Sequence, residues 1–202
     1  MARRSDHSRE EIREMTLNAA EELVSKQGLT GLSARKIATA IGYTPGTLYL
    51  VFKNLDELIL HLNARILDHL YAYLEARQSE QGTPRERLVT LAHAYIDFAT
   101  ANTPLWNVLF EDVVADADQL PAWYTDRLTR VFGLVERALS PLADHHNETT
   151  IRQAARVLWA SVHGICILKI RQRLDLAGGQ SVEEMAEMLL DNFLAGFSAR
   201  KS

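Results

Sequence analysis

Residues 33–52 read Ser-Ala-Arg-Lys-Ile-Ala-Thr-Ala-Ile-Gly-Tyr-Thr-Pro-Gly-Thr-Leu-Tyr-Leu-Val-Phe, and this stretch decides the fold of the N-terminal part of the chain. Ser33 is a favourable N-cap for a short helix, and Gly42 can adopt the positive φ at which such a helix ends. Thr44 and Pro45 then begin a second helix, with a hydroxyl at the N-cap and a proline at the first helical position. The pattern predicts two short helices joined by a tight turn.

The second helix of this pair has an outer face that suits nucleic acid. We expect Leu48 and Phe52 to be buried, while Thr47, Tyr49 and the backbone of Gly46 face outward. A small, hydroxyl-rich and nearly uncharged helix face can approach phosphates and base edges in a DNA groove. The stretch is therefore interpreted as a helix-turn-helix.

This order of residues resembles the N-terminal DNA-binding domain of the TetR family of bacterial repressors. Its most specific part is Gly-Thr-Leu-Tyr-x-x-Phe at residues 46–52. The other matching residues are Ala19, Ala20, Leu23, Gly28, Ser33, Arg35, Ile37, Ala38, Gly42, Asp56, Glu57 and Leu58. The resemblance implies a DNA-binding domain followed by a helical domain that binds a small molecule and forms a dimer.

The resemblance also implies which residues contact DNA. They are Arg35, Thr44, Pro45, Gly46, Thr47, Tyr49, Lys53 and Asn54. Their expected roles are close backbone approach, hydroxyl and phenol hydrogen bonds to phosphate, and charge-assisted phosphate contacts. For Arg35, a solvated surface charge is the alternative. Arg3 and Arg4 form either an arm that reaches the minor groove or a tail that contacts nothing.

Three residues depart from the common pattern of the family. Leu50 and Val51 stand where many members have an aromatic residue or a histidine, and Leu55 replaces a frequent lysine. Leu50 could pack against a thymine methyl group instead, and Asn54 with the following helix N-terminus could still hold a phosphate. The departures leave the operator sequence open and make weak affinity for DNA an open question.

The periodicity of apolar residues predicts an all-α protein. Nine helices are predicted, at about 8–27, 33–40, 44–51, 54–79, 84–101, 103–115, 121–139, 148–174 and 181–199. We assign residues 1–53 to a three-helix DNA-binding domain and residues 54–202 to a helical domain for effector binding and dimerisation. The long fourth helix is a candidate lever between the two.

Composition and charge agree with an ordinary globular protein. The 202 residues carry a formal net charge of −4, with a slight basic excess in residues 1–53. The single Cys166 fits a reducing compartment and is expected to be inert packing. We find neither a secretory signal nor an apolar run long enough for a bilayer, so we expect a cytoplasmic protein without membrane contact.

The last two predicted helices are the expected dimer surface. Helix 148–174 is apolar nearly all round from Val157 to Ile170, and the small residues Ala155, Ala160 and Gly164 permit close approach of a partner. Together with helix 181–199 it predicts a four-helix interface between two copies of the chain, the way in which TetR-like proteins dimerise. The run Trp159-Ala-Ser-Val-His163-Gly164 also resembles a C-terminal helix of one branch of the family. The alternative is that helix 148–174 is only a core helix.

Aromatic and histidine side chains of the C-terminal domain are candidates for an effector pocket. In TetR-like proteins this domain encloses a mainly apolar pocket with a few polar anchors. The candidate lining residues are His93, Trp106, Phe110, Trp123, Phe132, Trp159 and His163. Aromatic residues at helical spacing are also typical of a plain hydrophobic core, which is the alternative for each of them.

Catalytic and metal sites are not predicted, and neither is a cofactor. His145 and His146 are interpreted as a solvated loop rather than as metal ligands. The leading hypothesis is a homodimeric, ligand-responsive repressor that a small, apolar effector releases from a palindromic operator. The first alternative is a DNA-binding regulator without a small-molecule ligand, and remote alternatives are a helical enzyme or a lipid-carrier module.

Overall fold

The computed structural model describes residues 7–79, 81–111, 120–174 and 181–199, and its regular structure within these ranges is helical. The helices are α1 Arg9–Gln27, α2 Ala34–Ala40, α3 Pro45–Leu48, α4 Leu55–Glu75, α5 Pro84–Ala101, α6 Thr103–Val108, α7 Ala122–Leu139, α8 Glu148–Ile170 and α9 Val182–Ala199. Short 3-10 turns span Leu29–Gly31 and Ser140–His145. The predicted all-α fold is confirmed, with an α-helix in each of the nine predicted segments.

Several helices are shorter than predicted. The α-helical part of α3 ends at Leu48 instead of residue 51, because the amides of Leu50 and Val51 donate to the carbonyls three residues earlier. The helix thus finishes in a tighter turn. The fourth helix ends at Glu75, and α8 ends at Ile170, where Gln172 adopts a φ of 53°. The predicted 103–115 helix ends at Val108, and its last residues lie outside the described ranges.

The chain divides into two compact units. Unit one comprises Met1–Ile66 and Asn102–Tyr124, and unit two comprises Leu67–Ala101 and Thr125–Ser202. Both α4 and α7 contribute residues to each unit. The boundary predicted at residue 53 divides DNA binding from effector binding and dimerisation, and it stays a prediction.

In unit one, α1 is the support on which the helix-turn-helix is built. Its N-terminus has the capping box in which Ser8 and Glu11 each accept a backbone hydrogen bond from the other. Helices α2, α3 and α6 all contact α1. The buried side chains of this core include Ile12, Ala20, Val24, Ile37, Ala38, Leu48, Phe52, Leu58, Leu62, Trp106 and Val108.

In unit two, α5 packs against both α8 and α9. Polar contacts fasten the helices: Arg127 Nε donates to Asp68 at 2.9 Å, and Gln78 Nε2 donates to the carbonyl of Leu134 at 3.1 Å. The core includes Leu88, Leu91, Tyr95, Phe98, Leu134, Leu158, Val162, Cys166 and Leu190. Among the described residues, no helix is long and apolar enough to cross a membrane.

Candidate nucleic-acid interface and effector cavity

The turn between α2 and α3 is closed by backbone hydrogen bonds around a glycine. Gly42 has a φ of 75°, and its amide donates to the carbonyl of Thr39 at 3.2 Å. The next amide, of Tyr43, donates to Ala38 at 2.9 Å. Because a residue with a side chain is strained at this φ, the glycine is what allows α3 to begin immediately after α2.

The outward face of α3 carries the residues that the sequence predicts. Tyr49 is 53% exposed, whereas Leu48 is 2% exposed and anchors the helix. The position of Thr44 as N-cap is confirmed, but its hydroxyl does not cap the helix. Instead its Oγ1 lies 3.4 Å from Oγ1 of Thr47, so the predicted hydroxyl cap is wrong and both hydroxyls lie together at the surface. A Cβ added at Gly46 would meet nothing within 4 Å.

Two arginines of α1 hold the end of α3. Arg9 Nη2 donates to the carbonyl of Leu50 at 2.8 Å, and Arg13 Nη1 donates to that of Val51 at 3.1 Å. The guanidinium of Arg13 also lies 4.5 Å from the ring centroid of Phe52. Positive charge at a helix C-terminus is favourable because the last carbonyls lack intrahelical partners. Sequence reasoning missed both arginines, since the contacts span about forty residues of chain.

The remaining predicted DNA contacts are Pro45, Arg35, Lys53 and Asn54. Pro45 occupies the first turn of α3, and Arg35 and Lys53 have exposed side chains. Asn54 Oδ1 accepts from the amide of Glu57 at 2.8 Å, so Asn54 caps α4. The Glu57 carboxylate in turn accepts from the amide of Lys53.

Unit two contains a small apolar cavity. Its volume is about 50 Å³. The residues that line it are Leu74, Leu88, Leu91, Ala92, Tyr95, Val131, Phe132, Val135, Leu158, Trp159, Val162 and Leu190. The Tyr95 hydroxyl lies 2.8 Å from Nδ1 of His163, whose ring stacks on Trp159 with centroids 5.0 Å apart. Burial lowers the pKa of His163.

The predicted pocket residues divide into three groups. Phe132 and Trp159 line the cavity, and His163 contacts two lining residues, Tyr95 and Trp159. His93 lies outside the lining, with Nε2 3.3 Å from a carboxylate oxygen of Glu187.

The other three candidates, Trp106, Phe110 and Trp123, belong to unit one and are not among the lining residues. Trp106 is a core residue whose ring packs against Phe110, with centroids 4.8 Å apart. Trp123 stacks on His61. Helical spacing identified these side chains as aromatic faces, but it could not tell which core each face enters.

The outer sides of α8 and α9 are uncovered in the single chain. Val157 and Leu168 on α8 are 53% and 44% exposed, and Met188 on α9 is 56% exposed. A Cβ at Gly164 or Gly196 would meet nothing within 4 Å. The opposite side of α8 is buried in unit two, as the nearly all-round apolar sequence of this helix requires.

The predicted solvated loop at the two histidines is wrong for His146. This side chain is buried, its Nε2 lies 3.1 Å from the carbonyl of Phe197, and its ring stacks on Phe197 at 4.0 Å. The side chain of His145 lies outside the described residues. Within the described part of the chain, no group of three His, Cys, Asp or Glu residues is arranged to hold a metal. Burial raises the pKa of the Cys166 thiol to about 11, which keeps it protonated and inert at neutral pH.

Comparisons with known proteins agree with this geometry. Residues 17–62 match the family described as bacterial regulatory proteins, tetR family, and residues 88–193 match the family described as tetracyclin repressor-like, C-terminal domain. An uncharacterised HTH-type transcriptional regulator of Haemophilus influenzae is 35% identical over 65 residues, which are 32% of this chain and 35% of that protein. The match therefore spans about a third of the length of that relative.

Two further proteins are similar over nearly the whole chain. The uncharacterised HTH-type transcriptional regulator YobS of Bacillus subtilis is 22% identical over 182 residues, 90% of each chain. A solved protein of unknown function from Rhodococcus sp. RHA1 is 25% identical, with a TM-score of 0.76 over 97% of this chain and 98% of that one. The matching families and named relatives are transcriptional regulators and not enzymes. Since the C-terminal match alone spans half of the chain and the N-terminal match contains the helix-turn-helix, the chain belongs to the TetR family of bacterial transcriptional regulators.

Proposed function

We propose that this chain is a homodimeric repressor that binds a palindromic operator through α3 and leaves it when a small apolar effector occupies the cavity of unit two. The observation that carries the proposal is the outward face of α3, where Thr44, Thr47 and Tyr49 surround Gly46 and no Cβ covers the backbone. A helix face of this kind can approach a groove closely while its hydroxyl groups bond to phosphates.

We assign the DNA contacts by chemistry. Arg35 and Lys53 are exposed and would make charge-assisted bonds to phosphates. The capped N-terminus of α4 at Asn54 adds backbone donors for a phosphate, and Pro45 and Gly46 bring the α3 backbone close to the base edges. Acting on bacterial DNA, such a regulator works in the cytoplasm.

The proposed dimer uses the outer faces of α8 and α9. Val157, Leu168 and Met188 are large apolar side chains that a single chain leaves in water. Gly164 and Gly196 leave space in which a partner helix can approach. A two-fold dimer would offer two α3 helices to half-sites about 34–36 Å apart.

The proposed effector site is the apolar cavity. Its walls come from α4, α5, α7, α8 and α9, so a molecule that fills it would favour one packing of these helices. Release from DNA requires that the effector bind this packing more tightly than the DNA-bound one. The Tyr95 and His163 pair supplies a hydrogen-bonding group beside otherwise apolar walls.

A second candidate function has an observation of its own. The cavity of about 50 Å³ has room for a few waters, whereas ligand pockets are typically about 300–1,000 Å³. This volume favours a regulator that works without a small molecule unless the helices move apart. A thermal-shift screen with apolar metabolites separates the two, because a ligand of the native state raises the melting temperature.

The proposal is tested by DNA binding of the purified chain. The probe is a labelled duplex from the region upstream of its own coding sequence, measured by fluorescence anisotropy at 50 and 200 mM salt. We expect sequence-specific binding by a dimer that weakens steeply with salt, as phosphate contacts require. Absence of specific binding to this duplex and to duplexes selected from a random library would overturn the proposal.

A further inference from the structure

We infer that Arg13, His61 and Trp123 together position the end of α3, so that the ring of His61 helps to set the affinity for DNA. The inference rests on the DNA-binding half of the proposed function and concerns side chains of unit one alone. None of the three side chains needs to touch DNA for this role.

The first of three contacts joins Arg13 to the end of α3. Arg13 Nη1 donates to the carbonyl of Val51 at 3.1 Å, and the guanidinium plane lies over the ring of Phe52. Phe52 is 2% exposed, and its amide donates to the carbonyl of Leu48. The turn whose carbonyl binds Arg13 is therefore continuous with α3. A displacement of Arg13 would therefore loosen the last turn of the helix.

The second contact fixes Arg13. Its Nη2 lies 2.7 Å from Nε2 of His61, which belongs to α4. A guanidinium has only donors, so Nε2 of His61 must be the acceptor and must carry no proton. Both terminal nitrogens of the Arg13 guanidinium are thus hydrogen-bonded, Nη1 to Val51 and Nη2 to His61. The side chain therefore loses the conformational freedom that a surface arginine keeps.

The third contact orients the imidazole. The ring of Trp123 lies parallel to that of His61, with centroids 4.4 Å apart and planes 6° apart, and Phe52 flanks the imidazole at 5.7 Å. The rings of Trp123 and Phe52 fix the orientation of the imidazole, and the lone pair of Nε2 therefore stays directed at Arg13. Trp123 belongs to the first turn of α7, so the start of α7 takes part in placing the end of α3.

Two substitutions at residue 61 separate a positioning role from simple packing. His61→Phe keeps a flat ring for the stack but removes the acceptor, and His61→Gln keeps an acceptor near the position of Nε2 but removes the ring. Trp123→Phe retains an aromatic partner and serves as the mild control. Thr16 lies on the same helix as Arg13, and its hydroxyl donates to the carbonyl of Ile12 at 2.7 Å. Its amide serves as the reference that shows whether α1 remains intact in each variant.

The first readout needs no DNA. Amide hydrogen exchange is measured at Val51 and Phe52, whose amides bond to the carbonyl of Leu48, and at Thr16 as the internal reference. We expect about tenfold faster exchange at Val51 and Phe52 in His61→Phe, near-normal exchange in His61→Gln, and unchanged exchange at Thr16 in both. Normal exchange in His61→Phe, or equal acceleration in both variants, would overturn the inference.

The second readout is affinity for the upstream duplex. We expect His61→Phe to weaken binding about tenfold to specific and unrelated duplexes alike, His61→Gln to recover most of the loss, and Trp123→Phe to stay near the wild type. Equal affinity of His61→Phe and the wild type would overturn the inference. If the exchange pattern appears but the wild-type chain binds no DNA, the proposed function fails while the positioning of α3 stands.

Discussion

The hydroxyl oxygen of Tyr95 lies 2.8 Å from Nδ1 of His163, and Tyr95 is one of the side chains that line the cavity of unit two. Among the described residues that line it, Tyr95 and Trp159 are the two whose side chains carry a polar atom. A charged effector would leave its charge without a counter-ion at these walls, which is costly. The cavity chemistry therefore favours a neutral, mainly hydrocarbon molecule with a single hydrogen-bonding group.

Tyr95→Phe tests this pair. The substitution removes the hydroxyl from His163 while keeping the ring, so we expect a loss of about 1 kcal/mol and a melting temperature lower by about 2–4 °C. It should also reduce the thermal shift produced by medium-chain alcohols more than that produced by the matching alkanes. Tyr73→Phe is the control, because the Tyr73 ring packs against Phe98 and no hydrogen bond to its hydroxyl is found within the described part of the chain. Equal effects of the two substitutions would exclude a specific role for the Tyr95 hydroxyl.

The buried imidazole predicts a pH dependence of stability. Burial lowers the pKa of His163 in the folded chain, so the unfolded chain binds a proton more readily over the window below the ordinary histidine value of about 6.5. Stability contributed by neutral His163 is present above that value and is lost as the pH falls toward the lowered folded pKa. Urea unfolding at pH 7.5 and pH 5.5 should show a smaller difference in His163→Gln than in the wild type. An unchanged or larger difference contradicts the assignment.

The helix-turn-helix shows how much of the fold local sequence can predict. Ser33, Gly42 and Pro45 act within one or two turns of the chain, so their roles as cap, turn and helix start can be derived without knowing the rest of the molecule. The period of the apolar residues likewise gives the number of helices. The ends of helices are harder to predict from sequence. The change from α to 3-10 hydrogen bonding after Leu48 costs little free energy and is not visible in the amino-acid composition.

Contacts between residues far apart in the chain cannot be predicted from local sequence. The bonds from Arg9 and Arg13 to the end of α3 require α1 to cross that helix at one particular angle, which periodicity does not specify. For the same reason the sequence does not separate Trp106, Phe110 and Trp123 from the pocket candidates, although these residues belong to unit one. Phe132 and Trp159 line the cavity of unit two, and their role in binding an effector stays a prediction.

Gly46→Ala tests the close approach of α3 to DNA. The new methyl group meets nothing within 4 Å in the chain itself, and alanine favours helix, so stability should stay the same or rise by up to about 1 kcal/mol. If the backbone of α3 faces a groove, the methyl group must instead collide with DNA, and affinity for the upstream duplex should fall at least about tenfold. Chemical unfolding and anisotropy on the same preparation measure both effects. Full retention of affinity would remove Gly46 from the interface.

Tyr49 separates phosphate contact from sequence recognition. Tyr49 is 53% exposed, a position suited to a phenol-to-phosphate hydrogen bond. We expect Tyr49→Ala and Tyr49→Phe to weaken binding about tenfold to specific and unrelated duplexes alike, because phosphates are the same in both. Wild-type affinity in Tyr49→Phe would show that the ring, and not the hydroxyl, makes the contact. Leu50→Ala is the comparison: a contact with a thymine methyl would change only the preferred sequence.

Gly164 tests the dimer surface through a side chain that the single chain tolerates. Leucine at this position would extend into open space in one copy, where helix propensity favours it over glycine. Between two copies of α8 the same side chain would hold the helices apart, so Gly164→Leu should convert a dimer to a monomer in sedimentation velocity. Arg152→Leu on the same helix is the control, since residue 152 is turned away from this face by about a third of a turn. A wild-type monomer at micromolar concentration would contradict the proposed dimer, and a Gly164→Leu dimer of undiminished stability would locate the partner surface elsewhere.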